Sequence, residues 1–276
     1  MKIRISKGVA QFLEKAKLAW GVEEWQGPDD PDKDLIFFGL YFQEDYNTYE
    51  DFDGNRFMFW CGSDILRTSQ IKHWLDVVKK CSAKHYCETE IEAKNLFKIG
   101  IKAEIIPSFL GDVKQYPLSF SPPLQGENWK IWLCAHQDRE EEYGVNEAKA
   151  LTTIFNNVEI HIYGVKGIDE KNVYYHGLVE EEKLDKEIRG YHCGFRANKH
   201  DGVSEVIIKS LLLGQYPISR LPYEDVWQYE TPTDLTMCVQ ALQEQTQPNY
   251  RPRIKWMKKI NQFPWCHREY WRPYEA

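Results

Sequence analysis

The chain alternates short apolar runs with segments whose apolar residues recur at helical spacing, and this alternation restricts the fold most strongly. Short apolar strands joined by helices are typical of a parallel sheet covered on both faces. The strand-like runs are residues 1–6, 34–39, 56–61, 85–87, 104–107, 130–136, 158–164, 173–177, 191–195 and 216–219. The helix-like segments are residues 9–20, 70–80, 90–100, 144–155, 180–189 and 204–213.

A proline- and glycine-containing stretch at residues 116–126 interrupts the alternation, which then starts again. We therefore predict an α/β protein with two Rossmann-like, doubly wound parallel-sheet domains facing each other across a cleft. The predicted boundaries are 1–122 for the first domain and 123–248 for the second. Residues 249–276 are predicted to form helices that cross back to the first domain.

Composition excludes several classes of protein. The formal net charge of −7 excludes a protein that is basic throughout. No apolar run approaches the roughly 18 residues of a membrane span, and the N-terminus lacks the apolar core of a signal peptide. The seven cysteines are scattered, and neither C-x-x-C nor H-x-x-x-H spacing occurs. We expect reduced thiols in a cytoplasmic protein that holds no compact metal site.

The most site-like segment covers residues 196–218, where a polar turn leads directly into an apolar helix. Such a helix begins at the carboxyl edge of a parallel sheet, and its free N–H groups suit a phosphate or diphosphate. Asp201 and Ser204 are equally acceptable as ordinary N-caps of that helix. The residues alone leave these two interpretations open.

This segment resembles the donor-site signature of GT-B glycosyltransferases, in particular the large retaining, nucleotide-sugar-dependent group that includes family 4. The matching residues are Asp201, Gly202, Val203, Gly214, Pro217 and Ile218. The resemblance implies that Asp201 contacts hydroxyls of the donor sugar. It also places His200 and Ser204 beside the donor.

Lys209 departs from that pattern, because the family has a second Glu there that holds the ribose of the nucleotide. A lysine ammonium cannot accept hydrogen bonds from ribose hydroxyls. Either ribose recognition has moved, with Glu205 as the candidate, or Lys209 meets a phosphate, or the donor is unusual.

The loop after the predicted strand 130–136 resembles the part of the family that binds the donor diphosphate. Arg139 matches the first basic residue of that loop, whereas Tyr143, before Gly144, replaces the second. Arg139 could also be a surface residue among the neighbouring glutamates. Arg196 is a second candidate for the diphosphate.

Two loops of the first half resemble the acceptor side of the same family. Tyr41 follows one predicted strand, and Gly62, Ser63 and Asp64 follow the next. Asp64 could orient or deprotonate an acceptor hydroxyl. Alternatively, Ser63 or Asp64 caps the following helix. No dinucleotide-binding or P-loop glycine motif occurs.

The last 29 residues combine basic and aromatic side chains, with a local charge of +5. They hold Arg251, Arg253, Lys255, Lys258, Lys259, Arg268, Arg272, Trp256, Trp265 and Trp271, with Glu269 and Glu275 as the acids. One interpretation is the helices that close the fold. The other is a surface for a polyanion such as DNA or an anionic membrane.

The resemblance implies transfer of a sugar from a nucleotide sugar, with a UDP-sugar favoured, to a hydroxyl with retention. It implies no tightly bound cofactor and no required metal. A hydroxymethylated DNA base, a glycan and a lipid-linked sugar are candidate acceptors. The rival hypotheses are a nucleotide-sugar epimerase on the same fold and a non-catalytic sugar-nucleotide-binding module.

Overall fold

The structure is a computed structural model that describes residues 1–266. The chain forms two compact units. Unit 1 contains Met1–Asp112, the short loop His200–Val203 and the described residues from Lys258 onward. Unit 2 contains Val113–Lys199 and Ser204–Met257.

Unit 1 is built on a six-stranded sheet in the order β2-β1-β3-β4-β5-β6, in which every pair of neighbours is parallel. Its elements are β1 (Lys2–Ile5), α1 (Leu13–Trp20), β2 (Glu23–Glu24), β3 (Asp34–Phe38), α2 (Gln43–Asp51), β4 (Asn55–Phe59), α3 (Ser63–Gln70), α4 (Lys72–Lys80), β5 (Ala83–Cys87), α5 (Glu90–Lys98) and β6 (Ala103–Ile105). A 3₁₀ helix at Lys7–Phe12 precedes α1.

Unit 2 is built on a second six-stranded parallel sheet, in the order β12-β11-β10-β7-β8-β9. Its elements are β7 (Trp129–Cys134), α6 (Val145–Ile154), β8 (Val158–Tyr163), β9 (Val173–Gly177), α7 (Glu181–Glu187), β10 (Cys193–Arg196), α8 (Glu205–Leu212), β11 (Ile218–Ser219), β12 (Trp227–Gln228), α9 (Pro232–Gln243) and α10 (Tyr250–Lys259). Two 3₁₀ turns lie at Val113–Gln115 and Ile188–Gly190.

The apolar runs of the sequence form the central strands of the two sheets, because helices cover both faces of each sheet. In unit 1, Ile36 and Phe38 pack into one apolar cluster, whereas Leu35 and Phe37 pack into a second cluster on the opposite face. Alternate side chains of a strand point to opposite faces, so a strand buried on both sides is continuously apolar. The predicted α/β class with two parallel-sheet domains is confirmed.

The structure adds elements that the sequence did not predict. The predicted helix at 70–80 is α4, and a separate α3 precedes it; the break falls at Ile71, whose backbone is extended. Helix α2 was missed because its sequence is almost entirely polar. It is stabilised at its start by the buried Asp45, whose carboxylate accepts the N–H groups of Tyr41 and Phe42. The elements β2, β12 and α9 were also not predicted.

Candidate functional site

The order of the strands in unit 2 reverses between β7 and β10. From β7 the chain proceeds outward to β8 and β9, and it then returns to the other side of β7 to form β10. The loops after β7 and β10 therefore leave the carboxyl edge of the sheet side by side and diverge. Ligands of open parallel sheets bind at such a point. Arg139 and Tyr143 follow β7, and Arg196 ends β10.

Arg139 and Arg196 both lie against the ring of Tyr143. The guanidinium of Arg196 is 4.7 Å from the ring centroid and that of Arg139 is 5.6 Å from it. Arg139 also pairs with Glu142, at 2.6 Å between Nη2 and Oε1, and its side chain remains half-exposed. The two arginines predicted to bind the diphosphate therefore contact the same aromatic ring. We call Arg139 and Arg196 the arginine pair.

Gly144 lets the β7–α6 loop come close to the end of β10. Its φ of +78° lies in the left-handed region, and a Cβ there would be 2.3 Å from the Cβ of Ala197. Only glycine combines that backbone with that approach at low cost. Gly144 therefore brings the start of α6 close to the residues that follow β10.

Helix α8 begins as the sequence predicts. Ser204 is its N-cap, and its Oγ accepts the Val206 N–H at 3.3 Å. This is the N-cap interpretation of Ser204, and the N–H of Ile207 in the same turn donates to the Ser204 carbonyl at 3.0 Å. Glu205 occupies the first helical position and is partly exposed.

Lys209 is buried within a group of carboxylates. Its Nζ lies 2.9 Å from Asp185 Oδ1, 3.0 Å from Glu181 Oε1 and 3.6 Å from Glu205 Oε2. Burial by itself lowers the pKa of Lys209, but these acids and Tyr116 outweigh it and raise that pKa above its usual value. With its side chain only 3% exposed, Lys209 serves as a counter-ion to these acids. This geometry disfavours the alternative in which it meets a phosphate.

Asp64 is fully buried and its carboxylate is occupied by backbone groups. The carboxylate accepts the N–H groups of Leu40, Cys61 and Ile65 at 3.3, 3.0 and 2.9 Å. Burial raises the pKa of Asp64 to about 7. The geometry therefore favours a structural role, in which Asp64 orders the loops after β3 and β4, over contact with an acceptor. The predicted alternative, a cap of α3 by Ser63 or Asp64, is not what the structure has: the N-cap is Gly62, and no side chain caps it.

The other acceptor-side candidates lie in the same two loops. Tyr41 is buried, and its hydroxyl accepts the Ser63 hydroxyl at 3.3 Å. Gly62 has a φ of +90°, which a side chain would strain. Ser63 is exposed at the first turn of α3.

Residues 200–203 contain His200, Asp201, Gly202 and Val203 and belong to unit 1; we call them loop 200–203. His200 is exposed and Asp201 is partly exposed. Gly202 and Val203 are buried, and the Val203 N–H donates to Glu88 Oε2 at 2.9 Å.

Glu88 and its neighbour Glu92 were missed by the sequence analysis. Both are buried at the junction between β5 and α5. The sequence Thr89-Glu90-Ile91-Glu92 after a strand is a capping-box pattern, which could have identified Glu92. No local pattern identifies Glu88.

Comparison with solved structures identifies the fold. HepE of Anabaena, solved with UDP and glucose, matches with a TM-score of 0.62 and 11% identity over 83% of this chain and 74% of HepE. The lipopolysaccharide outer core galactosyltransferase WaaB matches with a TM-score of 0.61 and 12% identity over 91% of this chain and 77% of WaaB. Sucrose-phosphate synthase from Thermosynechococcus elongatus matches with a TM-score of 0.61 and 11% identity over 91% and 73%. The chain has the GT-B fold. No family model and no curated protein sequence matches it.

Several side chains of the basic, aromatic segment formed by the last 29 residues contact other residues of this GT-B chain. Lys255 pairs with Asp225 at 3.0 Å, and Arg253 Nε donates to the Leu212 carbonyl at 2.6 Å. Trp256 and Trp265 are buried. Arg251, Lys258 and Lys259 are exposed. Arg268, Trp271, Arg272, Glu269 and Glu275 lie outside the described residues.

Within residues 1–266, no group of three or more His, Cys, Asp or Glu side chains is arranged to hold a metal ion. The same part of this GT-B chain contains no helix that is long and apolar enough to cross a membrane.

Proposed function

We propose that this protein is a glycosyltransferase that moves a sugar from a nucleotide diphosphate sugar to a hydroxyl group, with retention. The observation that carries the proposal is the arginine pair at the reversal point of the unit 2 sheet, beside a loop that continues into α8. HepE, which shares the fold, was solved with UDP and with UDP-glucose, which favours a UDP-sugar as the donor.

The arginine pair and the first turn of α8 would bind the donor diphosphate. Guanidinium groups form charge-assisted, bidentate hydrogen bonds with phosphate oxygens, and a helix N-terminus adds a positive dipole. Both stabilise the negative charge that develops on the leaving diphosphate. Because these groups supply positive charge at the leaving group, we propose a reaction that does not require a metal ion.

Asp201 would hold hydroxyls of the donor sugar, and Glu205 would hold the ribose. Glu205 lies one helical turn before Lys209, whose ammonium is 3.6 Å from its Oε2. That contact restrains the Glu205 carboxylate while the residue stays partly exposed. The backbone of Gly202 and Val203 would lie beside the donor sugar, and the side chain of His200 would flank the donor.

A neutral glycan hydroxyl is the acceptor we propose. In the described part of the basic segment both tryptophans are buried, Lys255 is in an ion pair and Arg253 donates to a backbone carbonyl, which supports a closing role over a surface for DNA. Tyr41, Gly62 and Ser63 would line the acceptor side. The seven free cysteines suit a reducing compartment, so we propose that the enzyme is cytoplasmic.

The test begins with a thermal-shift panel of UDP-, GDP-, ADP- and CMP-sugars. We expect UDP-sugars to raise the melting temperature, because a ligand that binds only the folded state stabilises it. Arg139→Ala and Arg196→Ala should each weaken UDP binding about tenfold or more, and Asp201→Ala should mainly lower kcat. Arg251→Ala, which removes the same charge from the exposed face of α10, is the matched control.

The competing hypotheses predict different outcomes. A non-catalytic module would bind UDP-sugars without releasing UDP in the presence of any acceptor. An epimerase would convert the sugar without an acceptor. Failure of every nucleotide sugar to shift the melting temperature would contradict the proposed function.

A further inference from the structure

Glu88 is a buried acid to which the proposed reaction assigns no role. It follows β5 directly, and only 9% of its surface is exposed. Its Oε1 accepts the Ser108 hydroxyl at 2.5 Å and the Ser108 N–H at 3.3 Å. Its Oε2 accepts the N–H of Val203 at 2.9 Å. One carboxylate therefore joins the chain after β6 to loop 200–203, and all three residues belong to unit 1.

The approach of Glu88 to loop 200–203 requires a glycine beside Val203. A Cβ at Gly202 would lie 2.0 Å from Glu88 Oε2. On the other side, a Cβ at Gly62 would lie 3.1 Å from the Gly202 nitrogen. The backbone of loop 200–203 is thus in close contact with both Glu88 and the loop after β4.

Burying this carboxylate is costly, because its surroundings are acidic. Among residues 1–266 no lysine or arginine forms an ion pair with Glu88, whereas Glu92, Asp201 and the Cys61 thiol all face it. Burial, with a contribution from Asp201, raises the pKa of Glu88 to about 7. Acids with strongly shifted pKa values are concentrated at functional sites.

We propose that Glu88 is a positioning residue for glycosyl transfer: by accepting the Val203 N–H it fixes loop 200–203, and hence Asp201, in the orientation that holds the donor sugar. The consequence for turnover rests on the proposed function. The consequence for the loop does not, because it follows from the hydrogen bond alone.

Three substitutions separate positioning from general stability. Glu88→Ala leaves the Val203 N–H and the Ser108 hydroxyl without their acceptor. Glu88→Gln keeps the contact that matters for the loop, because its amide oxygen can accept from Val203 while its amide N–H donates to Ser108 Oγ. It loses the longer contact with the Ser108 N–H, since an amide nitrogen cannot accept. Glu90→Ala, on the exposed side of α5, is the control.

The first measurement is amide hydrogen exchange of the ligand-free protein, followed at loop 200–203. Loss of the hydrogen bond in Glu88→Ala should speed exchange of the Val203 amide about tenfold or more, whereas Glu88→Gln should stay within about threefold of wild type. Glu90→Ala should have no effect. Unchanged exchange in Glu88→Ala would overturn the inference. If that variant does not fold, Glu88→Asp, whose shorter side chain cannot keep both contacts, takes its place with the same expectations.

The second measurement is steady-state kinetics with the UDP-sugar found in the panel. Glu88→Ala should lower kcat about 10- to 100-fold and leave the Kd of UDP nearly unchanged, since the groups proposed to bind UDP lie elsewhere. Glu88→Gln should recover most of kcat and lose any inflection of the kcat–pH profile near pH 7. Equal losses in Kd and kcat, or no recovery by Gln, would contradict positioning. A wild-type protein that transfers no sugar would refute the proposed function, while the exchange result would still decide the position of the loop.

Discussion

At the scale of single residues, Lys209 shows how a cation is accommodated inside α8. Its ammonium lies within ion-pair distance of Glu181, Asp185 and Glu205, and its side chain also runs beside the Tyr116 ring. A buried charge is tolerated only when it is paired and hydrogen-bonded. The lysine and its three acids are therefore interdependent, and each of them is costly without the others.

Replacing Lys209 with an acid should destabilise this protein. Lys209→Glu would add a fourth carboxylate to a group that has lost its cation, with an expected cost of about 3–5 kcal/mol. Urea unfolding would measure the cost. Lys186→Glu makes the same charge change at an exposed position of α7 and should cost less than about 1 kcal/mol. Equal unfolding midpoints for the two variants would show that Lys209 is not a necessary counter-ion.

At the scale of elements, the start of α6 depends on the absence of a side chain at position 144. Gly144→Ala would force a Cβ into a left-handed backbone and to 2.3 Å from the Ala197 Cβ. We expect a loss of about 2–4 kcal/mol in stability. Weaker UDP binding should accompany it, because Tyr143 supports both arginines.

The control for Gly144→Ala is Gly190→Ala. Gly190 has no positive φ, and a Cβ there would meet nothing within 4 Å. This variant should keep both its stability and its affinity for UDP. If Gly144→Ala behaved in the same way, the close approach of the β7–α6 loop to Ala197 would not matter.

The sequence predicts elements well where burial on both faces leaves an uninterrupted apolar run, as in β3 and β8. The sequence does not predict elements whose stability depends on residues far away along the chain. The polar α2 is anchored by Asp45, which Arg4 contacts from 41 residues away. Lys209 could be identified as unusual from the sequence, but its partners on α7 lie 24 and 28 residues away.

The same limit applies to the candidate site. Arg139 was named from the resemblance of the loop after β7, and Arg196 from its place upstream of α8. Their shared contact with Tyr143 depends on the strand order, in which β10 lies beside β7 rather than β9. Glu88 was missed because its partner Val203 is 115 residues away.

At the scale of the whole molecule, buried acids and buried histidines change stability in opposite directions with pH. Burial raises the pKa values of Asp64 and Glu88 to about 7 and that of Glu92 well above its usual value. The stability linked to these protons is complete below the unfolded pKa values, near 4, and is lost as the pH rises through about 7. Burial lowers the pKa values of His85, His161 and His192 to about 4. The stability linked to these histidines is complete above about pH 6.5 and is lost as the pH falls through about 4.

Between about pH 4.5 and 6.5 the two groups offset each other, and above that range only the acids still titrate. The melting temperature should therefore be lower at pH 8 than at pH 6, by an amount that corresponds to a loss on the order of 1–2 kcal/mol. Glu92→Gln should reduce this difference, because it replaces an acid that releases its proton on unfolding with an amide that does not titrate. It keeps the oxygen that accepts the Thr89 N–H, and the Oε1 position has no hydrogen-bond partner to lose. Scanning calorimetry at both pH values would measure the effect, with Glu90→Gln on the exposed side of α5 as the control. A wild-type melting temperature that rises from pH 6 to pH 8, or an unchanged difference in Glu92→Gln, would show that these acids remain ionised in the folded protein.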